Sequence, residues 1–186
     1  MQLAQDNSAR DTSKLEAMVH YIAYKCPDPT KLGATKLNKV FWFADTYAYL
    51  QTGKPISGAK YVKHQFGPVP VDIMKVRDSL RDSGAVAITE GLHFGYPQTQ
   101  FIALKRPDLT RFKAEEISFV DEVLGYICEH HSAKSISDLS HDLIWDAAEL
   151  GEEIPLYAVF ASEKAEITEH DITWAQTQAK LVGLAA

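Results

Sequence analysis

The sequence predicts a mainly α (α+β) fold: a compact helical domain of about six or seven helices, with a small antiparallel β-hairpin inserted mid-chain. Three observations carry this reading. Apolar residues recur at helical spacing through most of the chain, most densely between Lys36 and Thr52. From Val86 to Leu104 the period shortens to two, as in a strand pair. With 46% hydrophobic and 24% charged residues, a chain of 186 residues can bury a core without metals or disulfides.

Residues 1–12 are polar and are expected to form a flexible tail. Ser13 and Glu16 fit a capping box. Behind them Leu15, Met18, Val19, Ile22 and Ala23 make one helical face, which ends before Pro27. The next helix is the predicted centre of the domain. Leu37, Val40, Phe41, Ala44 and Ala48 form its buried stripe, and Trp42, Phe43, Tyr47 and Tyr49 widen it. Gly53 suits a left-handed cap, and Pro55 shows that the helix has stopped. Tyr61–Phe66 alternates as a strand and is expected to join the hairpin as a third strand. Gly67-Pro68-Val69-Pro70 is expected to turn sharply into the following helix, with Pro70 in its first turn. Asp45, four residues beyond Phe41, is placed to accept from exposed amides at that corner.

Ile73, Val76 and Leu80 define an amphipathic helix capped at Gly84. The hairpin pairs Val86 and Ile88 with either Phe101 and Ala103 or Ile102 and Leu104. Gly91–Pro97 is expected to be its long, flexible tip. A helix from Ile117 to Cys128 places Glu115 and Glu116 at its positive end and His130 and His131 at its negative end. Ser135 and Asp138 are expected to open a shorter helix, and Gly151 ends the region around Trp145. Pro155–Phe160 is expected to pack back on the core. Residues 161–166 read as a connector. Thr168 and Asp171, with Ile167 and Ile172, open a C-terminal helix whose apolar face is thin.

A net charge of −6 argues against non-specific nucleic-acid binding. Cys26 and Cys128 read as free thiols of a reducing compartment. Neither a secretion signal nor an apolar run of membrane-spanning length is read, so the expected location is cytoplasmic.

Cys128, His130, His131 and His141 are ligand types suited to zinc. Adjacent helical histidines point about 100° apart, however, and paired ligand spacing is lacking, so no metal is assigned. His141-Asp142 alone does not make a phosphohydrolase. There is no nucleophile elbow and no phosphate-binding glycine loop, so no enzyme and no cofactor are predicted. A helix followed by a hairpin resembles a winged helix. Yet the Pro70–Asp82 segment is nearly charge-balanced and the hairpin tip lacks Lys and Arg, so DNA binding is only the alternative reading. Leu92, Phe94 and Tyr96 are three large apolar residues in a glycine-containing tip, an arrangement suited to a protein partner.

Several of these residues carry a resemblance. Lys36-Leu37 with Lys39, Phe43-Ala44-Asp45, Gly53, Pro55-Ile56, Gly58, Tyr61-Val62 and Gly67-Pro68-Val69 come in an order and spacing that resemble the Panacea domain. Leu139-Ser140-His141, Trp145, Gly151 and Ile154-Pro155 extend the match, giving a Panacea-like domain over residues 13–160. The family comprises SocA-like antitoxins and phage-associated proteins of the GepA type. The resemblance implies an antitoxin that neutralises a cognate toxin by direct contact, in some members delivering it to a Clp-type protease. Expected contact residues are Tyr61, His64, Phe66, Leu92, Phe94 and Tyr96. Asp45, Gly53, Pro55, Gly67, Pro68, His141 and Trp145 are expected to be structural. Homo-oligomerisation is left open.

Overall fold

The computed structural model describes residues 12–162. In order, the elements are α1 (Ser13–Lys25), a 3₁₀ turn (Pro29–Lys31), α2 (Gly33–Thr52), β1 (Tyr61–His64), β2 (Gly67–Pro70) and α3 (Ile73–Asp82). There follow β3 (Val86–His93), β4 (Tyr96–Ala103), α4 (Ala114–His130), α5 (Ala133–Leu139), α6 (Leu143–Ala147), β5 (Glu153–Ile154), a 3₁₀ turn (Leu156–Ala158) and the single turn α7 (Val159–Ser162). The predicted mainly helical α+β architecture is the one that forms. The expectations for residues 1–11 and for the C-terminal helix from Thr168 lie outside the described residues.

Helix α2 occupies the centre because apolar residues cover most of its surface from Leu37 to Leu50. Leu37, Val40, Phe41, Trp42, Ala44 and Ala48 are buried, and the helix packs against α4, α5, β2 and β4. The wrapping helices bring Met18, Val19, Ile22, Val120, Ile127 and Ile136 to the same core. Gly53 ends α2 in the left-handed conformation (φ 73°), its amide donating to the Tyr49 carbonyl at 2.8 Å. Ile73, Val76 and Leu80 are the buried face of α3, as their spacing predicts.

Two antiparallel sheets form, one ordered β2-β1-β5 and the other β3-β4. This corrects two expectations. Tyr61–His64 does not extend the mid-chain hairpin; it is the middle strand of a separate sheet, pairing with Gly67–Pro70 and with Glu153–Ile154. Gly67-Pro68-Val69-Pro70 is therefore a strand, and α3 starts three residues beyond Pro70, at Ile73. Prolines are tolerated there because β2 is an edge.

The mid-chain hairpin is tighter than its glycines suggest. Its strands pair as far as His93 and Tyr96, leaving only Phe94 and Gly95 in the turn. Phe101 takes the buried side, while Ile102 and Leu104 are exposed. Two helix starts also move. Thr12, not Ser13, is the N-cap of α1, and Glu16 accepts from the Ser79 hydroxyl at 2.9 Å. Ser132 caps α5 and accepts from the Ser135 amide. Ile154 and Val159 are buried, so the segment after Gly151 does return to the core.

Candidate functional site

The C-terminal half of α2 carries a buried carboxylate that ties down the chain ahead of β1. Asp45 is fully buried and accepts from the amides of Ile56 and Ser57, both at 2.8 Å, from the Ser57 hydroxyl, and from the Tyr61 hydroxyl at 2.7 Å. Burial pushes the Asp45 carboxyl above the usual carboxylate range, and the Ser57, Tyr61 and Ile56 donors pull it back. The amides belong to the Pro55–Gly58 loop and not to the Gly-Pro-x-Pro segment where they were expected. Gly53 and Pro55 deliver that loop to Asp45, and Ile56 is buried beside it. Tyr61 is 1% exposed and packs edge-on against Trp42, so it sets the sheet on the core and cannot itself meet a partner.

The β1–β2 turn is held from the other side by α5 and α6. Ser137 donates to the Phe66 carbonyl at 2.9 Å, and the Trp145 indole donates to the His64 carbonyl at 3.2 Å. His141 stacks on Trp145 with ring centroids 3.7 Å apart, and Lys63 lies over the same indole. Gly67 (φ 101°) passes so close to Lys39 and Ser140 that a Cβ there would collide with both side chains. Two groups of residues far apart in sequence thus form one clasp.

The N-terminal half of α2 is built differently. Lys39 is 1% exposed, and its single hydrogen bond is a long one, 3.5 Å to the Pro68 carbonyl. Burial lowers it to about 7. His141 is also lowered, by burial and then by the charge of Lys39. One turn earlier Lys36 is 9% exposed and is lowered by burial; the thiols of Cys128 and Cys26 partly offset this. Those two cysteines, both free, influence one another's titration, and the Cys26 thiol donates to the Asp28 carbonyl at 3.3 Å. The Cys26 thiol is pushed up chiefly by the neighbouring Cys128 and then by burial. Cys128 is drawn down to about 7 by Cys26, with Lys36 and Lys31 helping.

Each lysine lines a depression. Lys39, Asn38, His64, Phe66 and Val69 surround a cleft of about 180 Å³. Lys36, Lys31, Cys128, His131, Phe94 and Tyr96 border a groove of about 860 Å³, formed between the hairpin tip, the start of α2 and the α4–α5 junction. Ala34 and Thr35 belong to both, so cleft and groove form one surface across the first turn of α2.

That surface gathers four of the six expected contact residues. His64 and Phe66 rim the cleft, and Phe94 and Tyr96 rim the groove. Leu92 is 68% exposed on the same hairpin but lines neither the cleft nor the groove, and Tyr61 is buried. Phe94 is 89% exposed and adopts φ 50°, a left-handed conformation that bulky side chains avoid. A type I′ turn demands that conformation and usually supplies Asn or Gly for it. The hairpin thus holds an aromatic where both backbone and solvent disfavour one.

Buried Lys36 and Lys39 were not singled out in the sequence as part of a site. Their i, i+3 spacing places them on one face of α2, but two lysines at that spacing read equally as a solvated face, so the sequence alone does not mark them as buried. The candidate zinc residues are not brought together. His130 and His131 lie against Tyr126, His131 also bonds to Ser135, and His141 lies on Trp145. On α3, Arg81 pairs with Asp78 and Asp82, and Arg77 lies over Phe101. No helix among the described residues is long and apolar enough to cross a membrane.

A family model described as antitoxin SocA-like, Panacea domain, matches residues 37–146. No curated protein and no solved structure matches the chain. The matched residues include the Asp45 knot, the clasp around the β1–β2 turn and the whole mid-chain hairpin. Matched over more than half of its 186 residues, the chain belongs to the SocA-like antitoxin family, of the Panacea-domain type.

Proposed function

We propose that this protein is an antitoxin that neutralises a cognate toxin by direct binding, using the surface across the start of α2. The observation that carries the reading is Phe94, a nearly fully exposed aromatic in a disfavoured backbone conformation at the rim of a large groove. Strain and exposed apolar area both lower stability, and both accumulate where a partner must be met. Tyr96 and Leu92 enlarge the apolar tip, and His64 and Phe66 extend the surface on the far side of α2. The function is binding and not chemistry. The toxin is the first partner, and a Clp-type protease is the second where the bound toxin is delivered for degradation.

The winged-helix alternative gains nothing specific. The α3 arginines are paired or stacked, and the tip offers apolar side chains where a DNA-binding wing would offer cations.

Co-expression with the adjacent gene tests the proposal. A neighbour that is toxic alone, harmless with this protein and co-purified through a tag on it is the expected result. A neighbour whose toxicity is unaffected, with no complex recovered, contradicts it. The lifetime of the toxin in cells then separates delivery from simple blocking.

A further inference from the structure

The groove contradicts the charge of the molecule. The chain carries a net charge of −6, yet the groove is lined by Lys31, Lys36, Lys134, His93 and His131, with no Asp or Glu among its lining residues. The neighbouring carboxylates are already engaged. Asp28 accepts from the amide and hydroxyl of Thr30, and Asp138 pairs with Lys134 at 2.6 Å. Glu129 lies 4.0 Å from the His130 ring. Lys36 is left without an acid. It is nine-tenths buried and makes no hydrogen bond or ion pair among the described residues, where its electrostatic neighbours are the two thiols and Lys31. A buried ammonium in this state is destabilising, and retaining one is explained by an anion that arrives later. The helix beneath points the same way, because α2 starts with no side-chain cap and no acidic residue in its first turn.

Resting on the antitoxin reading, we propose that the groove receives an acidic segment of the toxin, whose carboxylate pairs with Lys36 at the start of α2 while Phe94 and Tyr96 cover an adjoining apolar residue. Charge complementarity selects this occupant, since a basic segment would meet Lys31, Lys36 and a helix N-terminus, Lys134 being already paired with Asp138. The overall negative charge steers a basic toxin from a distance, and the groove selects its acidic segment on contact.

Cys128, which lines the groove, reports occupancy. In the toxin complex recovered by co-expression, alkylation of Cys128 by iodoacetamide should slow by roughly tenfold or more, as expected for a thiol removed from solvent. Lys36→Met should weaken toxin affinity by roughly 30-fold and flatten its salt dependence, the size expected on removing one member of a desolvated charge pair. Lys36→Arg should restore most of the binding, and the exposed control Lys54→Met should change nothing. Exchange-protected residues of the toxin should include an Asp or Glu. An unchanged alkylation rate in a stable complex, or Lys36→Met binding as wild type, overturns the groove proposal and leaves the antitoxin reading standing. Absence of any complex with the wild-type protein overturns both. Should Lys36→Met not fold, Lys31→Glu at the exposed rim decides: weakened binding supports the proposal and wild-type binding overturns it.

Discussion

The two halves of α2 bury charge in opposite ways. Toward its C-terminus, Asp45 is enclosed with four donors aimed at its two oxygens. Toward its N-terminus, Lys36 and Lys39 are enclosed without a carboxylate partner among the described residues, and Lys39 makes one long hydrogen bond, to the Pro68 carbonyl. The first arrangement is complete in the isolated protein and holds a loop and a sheet on the core. The second is incomplete and borders a surface that also displays Phe94, an exposed aromatic in a left-handed backbone conformation. The difference between them separates structure from function: satisfied burial specifies the fold, and unsatisfied burial marks where something else binds.

The largest expected effect lies at the satisfied end. Asp45→Ala leaves four donors facing a void and should cost about 4 kcal/mol in urea unfolding, with Asp45→Asn costing about half of that. A loss below about 1 kcal/mol would mean that the knot is not what fixes the loop.

At the other end the sign reverses. Lys39→Met should raise stability at neutral pH by about 2 kcal/mol, because an apolar side chain of similar length replaces a buried cation. The pH dependence follows from the lowered value. An unfolded lysine titrates near 10.4, whereas Lys39 titrates at about 7 in the fold. The unfolded chain therefore holds the extra proton between those limits. The destabilisation is fully present below pH 7 and fades as pH rises toward about 10, at up to about 1.4 kcal/mol per unit. Cys26, Tyr21 and Tyr61 have raised values and act in the opposite sense at the alkaline end. The effect is best measured between about pH 7 and 8.5, as the slope that Lys39→Met removes. Equal slopes in the two proteins would contradict it.

A smaller effect concerns the thiols beside Lys36. Alkylation of Cys128 should follow a titration midpoint near 7. Cys26→Ala, by removing the neighbouring thiol, should move the midpoint up toward about 8.5. An unmoved midpoint would show that the two cysteines do not interact.

The smallest change is expected at the hairpin tip. Phe94→Asn suits the left-handed turn position and should stabilise the hairpin by about 0.5–1 kcal/mol while weakening toxin binding. A gain in stability with binding intact would sever the link between strain and function.

What the sequence made legible was local. The period of α2, its Gly53 cap and the buried face of α3 all depend on residues within one or two turns, and all formed as read. Gly67–Pro70 was misread because its prolines signal a turn locally, whereas its strand character comes from pairing with β1, which also binds distant β5. The tip was misread because Phe94-Gly95 lacks the Asn-Gly signal of a tight turn. At the site, the exposed aromatics could be anticipated from their company of glycines. The burial of Lys36 and Lys39 could not, because it is imposed by α4, α5 and the β1–β2 turn closing over a stretch that contains polar residues. The meeting of Cys26 with Cys128 is likewise a product of tertiary packing.

The claim that the surface across the start of α2 is where a toxin is neutralised can be tested by one paired comparison of growth rescue. Phe94→Ser with Tyr96→Ser alters that surface, and Tyr126→Ser with Leu139→Ser alters the apolar cleft of about 380 Å³ between α2, α4 and α5. Loss of rescue by the first pair, with rescue retained by the second and both proteins folded, is the predicted result. Rescue retained by the first pair and lost by the second would contradict the account and move the toxin to the other cleft.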